Sequence, residues 1–138
     1  MMDDAALTLA LCEMLGEVPG WHWSLTTETP AGMVGIFYGD LPETPDRAIG
    51  VRVYGGDDPR VYEPVRSVQL RIRGARDDKD DADRIAGFVF ALLQGRCRVR
   101  GISWVQRSTF GPLGADTNGR EERSENYRVF LDNPEVGT

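Results

Sequence analysis

The chain has 138 residues, 41% of them hydrophobic and 28% charged, which fits one globular domain and argues against a second domain or wholesale disorder. No run approaches the roughly 20 apolar residues of a membrane span, and the start "MMDDAA" has acids where a signal peptide needs basic residues, so we expect a soluble protein made in a cytoplasm with no membrane partner. The formal net charge of -6 and a pI near 4.8 oppose long-range attraction to nucleic acid.

The first predicted element is a short helix over residues 4–16. Asp3 and Asp4 can cap its start, and apolar residues then recur at helical spacing until a glycine. Residues 17–32 contain prolines, glycines and threonines that break any period, and we expect an irregular loop there. The lone histidine, His22, lies in this loop between two tryptophans and is expected to pack or to lie at the surface rather than to catalyse a reaction.

Three strands are predicted next. Residues 33–39 are β-branched and aromatic, and "AIGVRVYG", residues 48–55, alternates inward apolar residues with outward ones, as a half-buried strand does. The third strand, 67–73, alternates in the same way and therefore carries a polar row that is exposed or paired with other groups. Its apolar row is Val68, Leu70 and Ile72, and its polar row is Gln69, Arg71 and Arg73.

After Gly74 the period changes to that of a helix, predicted over residues 78–94. One stripe of this helix is apolar, and Gly95 follows it, a residue typical of the position after a helix. Aspartates in the first turn favour the positive end of the helix dipole and can cap free N–H groups, each contributing about 0.3–1 kcal/mol. The stretch "GARDDKDDAD" holds more acids than this requires, so we expect a charged surface that meets cations in this chain or in another copy.

Two further strands are predicted over residues 101–110 and 122–132, joined by "GPLGADTNGREE", which is dense in turn-forming residues. The element order is then α-β-β-β-α-β-β. This order is typical of an α+β fold, so we expect a single domain, residues 1–138, with a small, mostly antiparallel sheet that carries two helices on one face. The tail 132–138 is expected to be disordered.

No catalytic, cofactor-binding or metal site is predicted. Cys12 and Cys97 have neither a metal-ligand spacing nor a disulfide framework, and two buried free thiols are expected. Asp116 and Asn118 lack the spacing of a calcium loop, and a tight turn at Asn118-Gly119 explains them better. The glycines of "GVRVYGGDDP" match no phosphate loop, because the lysine and the following helix are missing.

Charge is unevenly distributed along the chain. Residues 1–69 hold four arginines against eleven acids, whereas residues 70–138 hold twelve basic residues against eleven acids, which suggests complementary faces. Fifteen of the sixteen cations are arginine, which is suited to forked pairing with carboxylates or phosphates, although a GC-rich genome would produce the same excess. Alternate arginines in "GRCRVRG" can track phosphates, but no readout motif is present, and structural pairing is favoured over DNA binding.

Four motifs of the second half follow one another in a recognisable order: a "Q-x-R-x-R" strand from Gln69, a helix closing on "ALLQG", the loop "GPLGADTNGR" and a final "Y-x-V" strand. Their order and spacing resemble the tail-terminator, or minor-capsid, family of long-tailed bacteriophages. The resemblance covers residues 5–132, and its distinctive part is 66–130. In this chain "GPLGAD" is one residue shorter than the family pattern between its proline and leucine, and residues 17–32 have no motif to align.

The resemblance implies a structural protein, not an enzyme, that forms a ring, usually a hexamer, caps the finished tail tube and joins it to the connector of the head. Such a protein would be located in the tail or neck of the virion and assembled in the cytoplasm of a bacterial host. Its partners would be other copies of itself, the tail tube protein and the head-tail connector proteins, with DNA near the lumen but not specifically bound. Two alternatives stay open: another phage neck protein, such as a head-closure protein or connector, and a cellular α+β binding domain.

Two sets of site residues are predicted. A ring needs head-to-tail interfaces in which two unlike patches meet, and we expect the arginine row and the acidic turn to be these two patches. The alternative is that the arginines and aspartates form exposed ion pairs within one chain, each contributing about 0–1 kcal/mol. The loop 111–121 is expected to project toward a partner or the lumen, the alternative being a plain hairpin connection. The subunit-interface set is Arg71, Arg73, Arg76, Asp77, Asp78, Asp80 and Asp81, and the loop set is Gly111, Pro112, Leu113, Gly114, Asp116, Asn118, Gly119 and Arg120.

Overall fold

A computed structural model describes residues 2–58 and 63–132. Within these residues the chain forms two helices and seven strands in one continuous sheet. In chain order the elements are α1 (Asp4–Leu15), β1 (Trp21–Trp23), β2 (Val34–Tyr38), β3 (Ala48–Asp57), β4 (Val65–Arg76), α2 (Asp81–Leu93), β5 (Cys97–Val99), β6 (Ile102–Ala115) and β7 (Arg120–Leu131).

The sheet is mixed, with the strand order β1-β2-β3-β4-β7-β6-β5. The pairs β1·β2 and β2·β3 are parallel, and the other four pairs are antiparallel. The predicted α+β class and element order agree with this arrangement, but the sheet is larger than expected because β1 and β5 were not predicted. Each has only three residues, too few for an alternating pattern to be recognised, and β1 lies in the segment expected to be a loop.

Both helices pack on one face of the sheet. α1 contacts β1, β2 and β3, and α2 contacts β4, β7 and β6. The inward residues alternate along the strands as predicted, and they meet the apolar stripes of both helices in a single core. The central part of that core consists of Leu7, Leu11, Ile49, Val51, Leu70, Ile72, Ile85, Val89 and Val129, all fully buried or nearly so.

The two helices begin differently. In α1 the Asp3 carboxylate accepts a hydrogen bond from the Ala6 backbone N–H at 2.7 Å, which confirms the predicted cap. In α2 the capping position is Asp80, whose side chain makes no capping hydrogen bond, so the expectation that the aspartates cap this helix is wrong there. The Asp81 side chain turns away to other partners, described below.

Strand β6 differs from the prediction in length and shape. It continues through Ala115, so residues 111–115 form a strand instead of a loop. Its pairing with β7 shifts register at Ser103, Ser108 and Leu113, where one extra residue on β6 is left without an opposite partner. Extra residues of this kind form β-bulges, which bend a strand and increase its local twist.

Three other findings concern the ends and the chemistry of the chain. The tail predicted to be disordered lies, apart from Asp132, outside the described residues. Neither helix described is long and apolar enough to span a membrane. Among residues 2–58 and 63–132, no three histidine, cysteine, aspartate or glutamate side chains are grouped so as to hold a metal ion.

Candidate functional site

The predicted arginine row lies on β4, on the sheet face that no helix covers. Arg71 is about half exposed, and its Nε donates to Oε1 of Glu122 on β7 at 2.8 Å. The cross-strand neighbours of Arg71 are Gly50 and Ser124, so none of the aspartates of the following turn is opposite it. Within this chain, the partner of Arg71 is therefore a glutamate on the neighbouring strand.

Arg73 is buried, in contrast to the expectation that the arginine row is a contact surface. Its Nε donates to the Asp46 carbonyl oxygen at 2.8 Å, and its Nη2 donates to the Pro42 and Pro45 carbonyl oxygens at 2.7 Å each. Burial, followed by the charge of nearby Arg120, lowers the pKa of Arg73 below its ordinary value. Arg73 therefore holds the β2–β3 loop against the sheet and is not accessible to a neighbour.

Asp81, another predicted interface residue, is also buried. Its two carboxylate oxygens accept from Nε and Nη2 of Arg47 at 2.8 and 3.1 Å, a forked pair. One of these oxygens also accepts from the Ala75 backbone N–H at 2.8 Å. Asp81 thus joins the end of β4, the start of α2 and the β2–β3 loop within one subunit.

The other members of the interface set are at least partly exposed. Arg76 donates to Asp46 at 3.1 Å, and Asp78 accepts from Arg84 at 2.9 Å. Asp80 is strongly exposed, with 81% of its side-chain surface accessible and only a 3.7 Å contact to Arg84. Asp77 has a left-handed backbone (φ 55), and its N–H donates to the Gly119 carbonyl oxygen at the tip of the β6–β7 hairpin at 2.9 Å.

The hairpin tip is held within the molecule and does not project freely. Asp116 accepts from the backbone N–H groups of Asn118 and Arg120 at 2.9 and 3.0 Å, which forms the tight turn predicted there. These bonds, the one to the Arg120 backbone above all, lower the pKa of Asp116. Asn118 also donates to the Glu43 carboxylate at 3.1 Å.

Arg120, predicted to reach a partner, is 2% exposed. Its guanidinium donates to Asp116 at 2.8 Å, to the Glu43 carbonyl oxygen at 2.7 Å and to Asp46 at 3.1 Å. Burial disfavours the charged form of Asp46, but the hydrogen bonds and charges of Arg76 and Arg120 more than offset this, so the pKa of Asp46 lies below its ordinary value. Arg120 is therefore buried and joins the hairpin tip to the β2–β3 loop.

The two predicted sets of residues meet at one end of the sheet, which we call the arginine end. Arginines from the β2–β3 loop, from β4 and from β7 share carboxylates there, so the turn, the hairpin tip and the loop form one connected network. The sequence did not indicate the loop residues, because "ETPDR" has the composition of an ordinary turn. The arginine end consists of Glu43, Asp46, Arg47, Arg73, Arg76, Asp81, Asp116 and Arg120.

A cleft of about 370 Å³ opens next to the arginine end on the uncovered face of the sheet. Its floor is Gly50, where an added Cβ would come within 2.4 Å of the Gly39 carbonyl oxygen. Three arginines and two acids line it, so the cleft carries a positive charge in a protein whose formal net charge is -6. The lining residues are Gly39, Asp40, Leu41, Gly50, Arg52, Gln69, Arg71, Arg73 and Glu122.

A second charged cluster lies on the helix-covered face and was not predicted. Glu125 is fully buried on β7, between Arg107 at 3.5 Å and Arg123 at 3.2 Å. The Arg107 guanidinium lies between the rings of Phe90 and Phe110, 4.2 and 4.1 Å from their centroids. Burial raises the pKa of Glu125 despite the two arginines. An acid inside a strand pattern of "ERSENYRVFL" would normally be assigned to the surface, which is why this residue was missed.

The two cysteines differ in environment. Cys12 is a buried free thiol, as expected, and burial raises its pKa to about 12. Cys97 is exposed, so the prediction that it is buried is wrong; it lies on the three-residue edge strand β5 opposite Trp104. In the same segment, Arg100 pairs with Glu13 and Glu17 of α1, as structural pairing predicts, whereas Arg96 and Arg98 form no salt bridge within residues 2–58 and 63–132.

Comparison with known protein families identifies this architecture. A family model described as "Bacteriophage tail terminator protein" matches residues 18–133, most of the chain. The chain belongs to the bacteriophage tail terminator family. A tail terminator is a structural protein of the phage, not an enzyme, and is located in the tail or neck of the virion.

Comparison with solved structures agrees on the fold. A chain from the virion of a native gene transfer agent particle matches with a TM-score of 0.63 and 14% identity. The match covers 94% of this tail terminator and 96% of that chain, so the two share the whole domain. No curated protein sequence matches the tail terminator significantly.

Proposed function

We propose that this tail terminator assembles into a ring of six copies that caps the finished tail tube and joins it to the connector of the head. The observation that carries the proposal is the family match over residues 18–133. A ring is built from head-to-tail contacts, in which a patch on one subunit meets a different patch on the next. The exposed members of the predicted interface set, among them Arg71, Arg76 and Asp80, are proposed to belong to these contacts.

The distal half of the β6–β7 hairpin is proposed to contact the tail tube protein or a connector protein. Phe110 and Leu113 are each more than half exposed there, and both lie on strand β6. The ring of Phe110 is held between Arg107 and Arg123, whose guanidinium groups are 4.1 and 4.8 Å from its centroid. A rigid aromatic residue flanked by arginines has the composition of the residues that dominate binding energy at protein interfaces.

Deletion of the gene from a phage that carries it tests the proposed role. Because a cap would fix where the tube stops and would provide the joining surface, we expect DNA-filled heads beside separate tails of uncontrolled length in negative-stain micrographs. A plasmid copy of the wild-type gene should restore complete virions. Native mass spectrometry of tails disassembled from the wild-type phage should show a species of six 15.3 kDa chains.

Two outcomes would contradict the proposal. Tails of normal length beside heads that have lost their DNA would identify a head-closure protein instead. Normal virions in the deletion strain would exclude any role in joining heads to tails.

A further inference from the structure

We propose that the cleft beside the arginine end is the receiving half of the subunit contact and binds the aspartate side chains of the β4–α2 turn, residues 77–80, of a second copy. This inference rests on the proposed ring and names its interface. The cleft supplies guanidinium groups from two adjacent strands, and the turn supplies carboxylates. Contact between them would bury this cationic cleft.

Two arginines of the cleft, Arg52 and Arg71, have N–H groups that are not used in hydrogen bonds within the described chain. Only Nε of Arg71 is engaged, by Glu122, and within the described chain its two Nη groups make no hydrogen bond. The nearest acid to Arg52 is Asp40, at 3.7 Å, which is beyond hydrogen-bonding distance, and 65% of the Arg52 side chain is exposed. Arg52 lies opposite Gln69, and Arg71 lies opposite Gly50, so the two arginines line the cleft from neighbouring strands. Planar guanidinium groups bind carboxylates in a forked geometry.

The presenting side is the exposed part of the predicted acidic set. Asp80 is 81% exposed, and its contact to Arg84 at 3.7 Å is weak. Among the described residues, the Asp77 carboxylate forms no salt bridge, and the hydrogen bond from its N–H to Gly119 fixes the turn against the hairpin. The buried Asp81, paired with Arg47, fixes the other end of the turn. Both ends of the acidic turn are thus fixed within the subunit, so the turn loses little conformational entropy when it binds.

The positions of the two patches fit a head-to-tail contact. The cleft lies on the uncovered face, because Arg52, Gln69 and Arg71 alternate with residues buried under the helices. The turn leads directly into α2, which packs on the opposite face. Two unlike patches at different positions on one subunit can form a repeating contact in which each copy uses both patches.

Nucleic acid is the other ligand that a cationic cleft can take. The formal net charge of -6 disfavours DNA at long range, whereas the acidic turn is present on every copy at the same concentration as the cleft. A carboxylate from a second copy is therefore favoured over a phosphate.

Charge reversal on the full-length protein tests this pairing. The double variant R52E/R71E should reduce assembly into rings by at least about tenfold, because it places like charges opposite each other at the contact. The double variant D78R/D80R should show the same loss. A mixture of the two variants should recover rings in which the variants alternate, because each turn then meets a cleft of opposite charge, and the quadruple variant, which carries both reversed patches, should also recover rings in native mass spectrometry.

A matched control is R96E/R128E, which changes the net charge by the same amount at two exposed arginines outside the cleft and should keep its rings. Circular dichroism should show that all variants remain folded. Rings that persist in R52E/R71E, or a quadruple variant that stays monomeric, would overturn the inference while leaving the ring itself intact. Loss of duplex DNA binding in R52E/R71E without loss of rings would assign the cleft to DNA. Absence of rings in the wild-type protein, on tails as well as in solution, would instead overturn the proposed function.

Discussion

Individual arginines in this chain serve two different purposes, and the geometry of the guanidinium explains both. Arg73 donates to four backbone carbonyl oxygens of one loop, and Arg120 donates to one carbonyl oxygen and three carboxylates. A lysine has a single ammonium group and cannot reach partners in several directions of one plane. The excess of arginine over lysine therefore has a structural use at the arginine end, in addition to whatever codon usage contributes.

Glu125 provides a pH-dependent prediction at the scale of one residue. Because burial raises its pKa above the ordinary value of 4.5, the folded state holds this proton to higher pH than the unfolded state does. The contribution of Glu125 to stability is therefore complete below about pH 4.5 and is lost as the pH rises through the raised value. The variant E125Q cannot ionise, so its stability relative to wild type should increase with pH, by at most about 1.4 kcal/mol per pH unit.

Urea unfolding of both proteins between pH 4 and 8 measures this difference. The control E121Q makes the same change at a partly exposed glutamate on the same strand. A difference between E125Q and wild type that does not change with pH would show that Glu125 keeps an ordinary pKa in the folded protein.

At the scale of secondary-structure elements, the glycines of α2 and β4 have opposite roles. Gly87 is exposed within α2, and an added Cβ there would have no atom within 4 Å. Gly74 lies where β4 approaches α2, and an added Cβ would come within 2.7 Å of the Ala82 backbone nitrogen. Gly87→Ala should therefore stabilise the protein by about 0.5–1 kcal/mol through helix propensity, whereas Gly74→Ala should destabilise it.

Chemical denaturation of the two variants beside wild type measures both effects. They serve as controls for each other, because the same methyl group is added in each. Equal effects of the two substitutions would contradict the close approach of β4 and α2 at Gly74.

Elements with a clear hydrophobic period were predictable from the sequence, whereas features that depend on contacts between distant parts of the chain were not. Val68, Leu70 and Ile72 alternate clearly, and the structure buries all three as expected. Arg73 is buried because the β2–β3 loop packs over it, on the sheet face that no helix covers. The residue pattern of β4 alone gives no sign of this distant contact. The extension of β6 to Ala115 was missed for a related reason, since glycines and a proline there indicate a turn, while the observed register shifts accommodate them within a strand.

Some of the predicted site residues are accessible in the structure, and others are buried by contacts distant in the sequence. Composition identified the arginine row and the acidic turn, and the structure brings both to one end of the molecule. It also shows that Arg73, Asp81 and Arg120 are internal, since each is at most 5% exposed. Arg52 and Arg47 were not predicted, because their partners are distant in the sequence or belong to a loop.

At the scale of the whole molecule, the strand order converts a charge difference along the sequence into one across the sheet. β1, β2 and β3 come from the acidic first half and lie on one side of the central strand β4. The strands β7, β6 and β5 come from the second half, with its twelve basic residues against eleven acids, and lie on the other side. This long-range difference is separate from the local pairing of the cleft with the turn, and an interface built on unlike charges favours one orientation of the contact over its reverse.

A ring held by such contacts should weaken as salt is added. The Debye length falls from about 10 Å at 0.1 M salt to about 3 Å at 1 M, so charges at the rim of an interface lose most of their attraction. Apolar contacts respond in the opposite direction, because salts such as sulfate strengthen burial. Sedimentation velocity of the purified rings should therefore show dissociation as NaCl is raised across this range. Rings that stay intact or tighten at 1 M NaCl, in a protein whose circular dichroism is unchanged, would show that apolar burial and not charge holds the subunits together.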